Sequence, residues 1–130
     1  RRMVGLAVGI GGALGAPLRF VTDRWVQERR FGDDELTAWP LGTLAVNVIG
    51  GLMLGVIVGA SRYGTLGAVP VAVMGPGFCG ALTTFSTASV ETIRLAEAER
   101  WPAALAVAAS NLLLTMTAAA SGLGLTAAIW

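Results

Sequence analysis

Four stretches of the chain carry no charged residue: 3–18, 36–61, 63–90 and 101–130, together 100 of its 130 residues. Each is apolar and of the order of length a helix needs to cross a hydrocarbon core roughly 30 Å thick. The pattern predicts an all-α membrane protein, a single four-span domain over 1–130 with spans at about 3–22, 39–61, 65–90 and 101–129, and leaves no room for a soluble domain. Charges collect between the spans. Residues 23–35 hold Asp23, Arg24, Glu28, Arg29, Arg30, Asp33, Asp34 and Glu35, whose signs nearly cancel, and read as a solvated loop. Trp39-Pro40 marks the interface and the first turn of the second span. Glu91, Arg94, Glu97, Glu99 and Arg100 read as a mixed-charge surface segment closing the third.

The third stretch departs from an ordinary apolar helix. It meets Gly75-Pro76-Gly77 and then the run GFCGALTTFSTASVE at 77–91, with Thr83, Thr84, Ser86 and Thr87 around Phe85. Hydroxyls bonding back to the preceding turn would account for isolated Ser and Thr residues. So many together, beside three glycines within six positions, predict instead a broken third helix. Backbone groups released at membrane depth are tolerated only where they face protein or a water-filled cavity, so such a break marks a binding or conduction site.

Other polar positions carry two readings each. Arg19, preceded by Pro17, either snorkels to the interface or places a fixed positive charge at the mouth of an anion path. Asn47, in mid-span, either pins one helix to another or offers N–H donors to an anion. Asn111 and Thr115 share a helix face, giving either interhelical hydrogen bonds or a pathway lining. Glycines four apart (Gly5/Gly9, Gly11/Gly15) and the set Gly42, Gly50, Gly51 and Gly55 predict close helix packing.

Composition narrows the classes. The chain is 55% hydrophobic and 13% charged, has a net charge of +1, and all nine basic residues are Arg without a basic tract, so nothing points to nucleic acid. With no His and the single Cys79 there is neither an internal disulfide nor a zinc- or iron-type ligand set, and no nucleophile–base pair for an enzyme. A small proton-coupled drug exporter needs a carboxylate inside the membrane, and none of the four uncharged runs has one. Arg1-Arg2 ahead of an apolar run is also how a signal peptide opens, but three further spans follow, and the run is read as a span. Arg1, Arg2 and Arg62 on one side face Arg24, Arg29, Arg30, Arg94 and Arg100 on the other. That small bias leans toward an outside N-terminus and also suits insertion in both orientations. Four short spans do not easily enclose a pathway, so a dimer is expected.

Three motifs lie in order in the first three spans: GGALGAPLR at 11–19, GTLAVNVIGG at 42–51 and GFCGALTTFSTAS at 77–89. Through them the chain resembles, over nearly its whole length, the small four-span fluoride channels of the Fluc type, also called CrcB. The resemblance implies an antiparallel, dual-topology dimer in a prokaryotic cell membrane, passively exporting fluoride and so lowering its cytoplasmic concentration. It also implies a structural sodium ion held by main-chain carbonyls, by motif position those of Gly80 and Thr83; such hard oxygens need no acidic partner. The fluoride path it implies runs past Phe85, Asn47, Asn111 and Thr115, with Thr84 and Ser86 beside the ring and Arg19 in a vestibule. Ring edges carry the positive part of the aromatic quadrupole and attract an anion weakly. One position departs: the family motif usually ends TTFSTFS, and here Ala88 replaces the second phenylalanine. Either one ring suffices, or the subunit pairs with a homologue that completes the pore, or it no longer conducts. Ala81, where the family often has Gly, adds a methyl group beside the implied ion site.

Overall fold

The computed structural model describes residues 2–31, 39–64 and 66–129. Among the described residues four stretches are long and apolar enough to cross a membrane: Arg2–Trp25, Leu41–Tyr63, Ala68–Glu97 and Trp101–Ile129. The first lies in α1 (Arg2–Phe31), while α2 (Leu41–Tyr63) and α6 (Trp101–Ile129) are the second and fourth. The third is built from α3 (Ala68–Ala72), a π-helical segment (Val73–Cys79), α4 (Gly80–Leu82) and α5 (Phe85–Glu97).

Two boundaries differ from the expected ones. The helix of α1 continues through residues 23–31, where a solvated loop was expected. That stretch contains no Gly or Pro, and charges of mixed sign suit an exposed helix as well as a loop. Residues 32–38, with Asp33, Asp34 and Glu35, lie outside the described residues, as do the side chains of Glu28, Arg29 and Arg30. The third span runs on as helix to Glu97, so the expected surface segment begins inside it: Arg94 and Glu97 are exposed on that helix, while Glu91 is only partly so.

The helices approach closely where glycines allow it. The most extensive pairing is α2 along α6. A methyl group on Gly51 would stand 2.9 Å from the Thr115 carbonyl oxygen, one on Gly55 would overlap the Ala119 carbonyl, and one on Gly122 would overlap that of Leu52. Small residues let backbones meet in a solvent that offers no hydrophobic drive between helices. Gly11 and Gly15 do the same for α1 against the π-helical segment, at Val73 and Phe78. Gly5 and Gly9, expected to pack in the same way, have open space beside them. Two residues turn a helix by about 200°, so Gly9 faces away from Gly11.

The π-helical segment has a cause in its sequence. Pro76 supplies no N–H and its ring crowds the carbonyl one turn earlier, and the flanking Gly75 and Gly77 let the turn widen around it. The Gly80 N–H returns to the Gly75 carbonyl, closing the wide turn.

Candidate functional site

Two extended residues separate α4 from α5: Thr83 at φ −78°, ψ 155° and Thr84 at φ −147°, ψ 118°. Each hydroxyl there has a local use. Thr83 Oγ1 donates back to the Cys79 carbonyl at 3.0 Å. Thr84 Oγ1 caps α5 by accepting the Thr87 N–H at 3.2 Å, and it also bonds the hydroxyls of Thr87 (2.9 Å) and Ser86 (3.2 Å).

The Thr84 backbone is served by α2. Its N–H donates to Asn47 Oδ1 at 2.7 Å and its carbonyl accepts from Asn47 Nδ2 at 3.0 Å. A side-chain amide thus stands in for a neighbouring strand, pairing both polar groups of a peptide that has left its helix. In a continued α-helix that N–H would return to the Gly80 carbonyl, which therefore loses its usual donor. The second Nδ2 hydrogen of Asn47 goes to Asn111 Oδ1 at 2.9 Å. One amide ties α2, the extended residues and α6 together, and it is buried, as are Thr84 and Asn111.

Beside this knot lies a cavity of about 470 Å³ between α5 and α6. Asn47, Thr84, Phe85, Ala88, Asn111 and Thr115 are on its wall. Two groups there stand out. The Thr115 hydroxyl is buried and has no hydrogen-bond partner among the described residues, which is uncommon for a polar atom inside a protein. Phe85, at the first turn of α5, is 88% exposed although its neighbours Thr84 and Ala88 are buried.

The structure brings most of the expected site residues together. Asn47, Thr84, Phe85, Asn111 and Thr115 all line the cavity, and Arg19 reaches the same region through a long Nη1 contact of 3.5 Å to the Thr83 carbonyl. Ser86 is exposed and joins only through Thr84, while Gly80 lies on α4 with an exposed surface. Glu91 was expected at the surface. Instead it is partly buried: Thr43 donates to its Oε1 at 2.7 Å, and its Oε2 is buried without a partner among the described residues. A charge-free run that ends at Val90 places Glu91 outside the membrane on paper, but it follows Thr87 by one turn and shares its helix face. Thr43 likewise precedes Asn47 by one turn on α2, a signal the spacing offered.

Comparison with known proteins shows the family. The family model described as CrcB-like protein, Camphor Resistance (CrcB), matches residues 6–123. The chain belongs to the CrcB family. A fluoride-specific ion channel FluC 1 of Frankia casuarinae is 44% identical over 96% of this chain and 97% of its own length. One of the same name from Streptomyces avermitilis is 42% identical, again over 96% of this chain and 97% of its own length. A FluC 2 of Rhodococcus jostii is 43% identical over 75% of this chain and 76% of its own. Every residue of the cavity and of the Asn47 knot falls inside the CrcB match.

Proposed function

We propose that the chain is a subunit of a fluoride-selective channel in the cell membrane, which passively exports fluoride and lowers its cytoplasmic concentration. The observation that carries this reading is its likeness, over nearly the full length of both chains, to relatives named fluoride-specific ion channels. The cavity fits the chemistry. Fluoride is small and strongly hydrated, so a path must offer donors that replace water without trapping the ion by full charge. The Thr115 hydroxyl, buried without a partner among the described residues, is such a donor, and Phe85 lines the same cavity, where a ring presenting its edge would attract an anion weakly. Arg19, beside Thr83, supplies positive potential without being able to deprotonate.

The same reading includes a broken third span and an antiparallel, dual-topology dimer. An aromatic side chain as exposed as Phe85 at a polar break is suited to being covered by a second subunit. A structural sodium ion would be held by the main-chain carbonyls of Gly80 and Thr83. Gly80 fits, because Asn47 takes the N–H that would otherwise satisfy its carbonyl. Bound there, the ion would supply a fixed positive charge beside the break.

Ala88 favours a second form of this reading. It is 8% exposed and forms part of the cavity wall, so a ring missing from this chain leaves space that a homologue's ring can complete in a heterodimer. Expression in a bacterium without its own fluoride exporter tests both forms. Restored growth on fluoride by this chain alone supports the homodimer, and restoration only with a co-expressed homologue supports the heterodimer. No restoration in either case, with the protein present in the membrane, removes the proposal.

A further inference from the structure

We propose that Asn111 is a positioning residue that competes with the permeating anion for an N–H of Asn47, and so keeps binding in the path weak; this rests on the fluoride reading above. The orientation of both amides follows from the backbone. Thr84 presents one N–H and one carbonyl, so Asn47 must turn Oδ1 toward the first and Nδ2 toward the second. Its remaining Nδ2 hydrogen meets Asn111, which must therefore offer Oδ1, at 2.9 Å. That leaves the Asn111 Nδ2 pointing back along its own helix, where it makes a long bond of 3.4 Å to the Val107 carbonyl.

All the hydrogen-bonding capacity of the Asn47 nitrogen is thus engaged within the protein. An anion at the cavity wall gains an Asn47 N–H by displacing either the Thr84 carbonyl, which is fixed in the backbone, or Asn111 Oδ1, which belongs to a side chain that can turn away. A conducting site needs entry to be favourable and exit to be fast, and an internal acceptor of the right strength keeps a strongly hydrogen-bonding anion from settling. Serine at 111 would be too short to reach as Asn does, and aspartate would hold the same hydrogen more strongly, because a charged acceptor makes the stronger bond.

The test compares wild type, Asn111→Ala and Asn111→Asp in fluoride binding by calorimetry in detergent and in the fluoride dependence of flux in liposomes. Asn111→Ala is expected to lower the dissociation constant about fivefold, the factor one net hydrogen bond supplies, and to lower maximal flux as the ion leaves more slowly. Asn111→Asp is expected to raise the dissociation constant. Removal of a residue that simply donates to the anion would weaken binding, so weaker binding in Asn111→Ala overturns the proposal, as does unchanged binding. A further readout does not depend on flux. With asparagine labelled by ¹⁵N, the Asn47 side-chain protons are expected to shift upfield in Asn111→Ala and downfield in Asn111→Asp, and unmoved resonances overturn the proposal. Absence of fluoride flux from wild-type liposomes, with and without the homologue, sinks the channel reading along with the inference, and it is seen before any substitution is made.

Discussion

The α2–α6 pair and the third span solve the same problem in opposite ways. In α2 and α6 the backbone satisfies itself over 23 and 29 residues, and what holds the pair together is the close approach allowed by Gly51, Gly55 and Gly122. The third span widens its ladder at the π-helical segment, where the Gly80 N–H closes on the Gly75 carbonyl, and leaves it at Thr83 and Thr84, where Asn47 pairs the N–H and carbonyl of Thr84. The first region is a closely packed wall, and the second is where polar backbone groups leave the helical ladder. Asn47 sits on the wall and serves the break, so the two regions are coupled through one amide.

Breaking that coupling should have the largest effect. Asn47→Leu leaves the N–H and carbonyl of Thr84 and the Oδ1 of Asn111 without partners, a loss of roughly 2 kcal/mol in thermal stability in detergent, and fluoride flux should fall at least tenfold. Flux equal to wild type would separate the amide from the path. Loosening the wall comes next. Gly55→Leu drives a side chain into the Ala119 carbonyl and should cost about 1–3 kcal/mol, read as a lower melting temperature. If that variant melts as wild type does, the close approach of α2 and α6 is not what holds them.

A smaller change sharpens the contrast by touching neither region. Glu99, in the turn between α5 and α6, has φ 58°, a conformation that a side chain disfavours. Glu99→Gly should raise stability by about 1 kcal/mol with flux unchanged. The smallest effect is expected of Glu91→Gln on the cation. The amide oxygen can still accept from Thr43, and no carboxylate takes part in the proposed sodium site, so sodium binding should persist. Loss of sodium in that variant would move the site away from the carbonyls of Gly80 and Thr83.

How far the sequence could be read follows from what each feature depends on. The spans were legible because uncharged runs report burial in lipid directly, and the polar stripe of Asn111 and Thr115 was legible because helical spacing alone puts them on one face. The continuation of α1 to Phe31 was not, since a stretch such as DRWVQERRF at 23–31 reads equally as loop or exposed helix. Glu91 was misplaced because a single charge ends an apolar run on paper while a helix continues through it, and Thr43 can meet it from another element. The two readings of Asn47 could not be separated in the sequence. Its partners, Thr84 and Asn111, lie 37 and 64 residues away, and only the packing of three elements decides which of its hydrogens are taken.

Fluoride efflux from liposomes holding this protein alone, read with a fluoride electrode beside a chloride control, tests the central claim most directly. Fluoride efflux well above the rate of empty liposomes, with chloride retained, is expected either from this chain alone or after a homologue that carries the second ring is added to it. Well-folded protein that passes no fluoride with or without the homologue, or that passes chloride equally well, would contradict it.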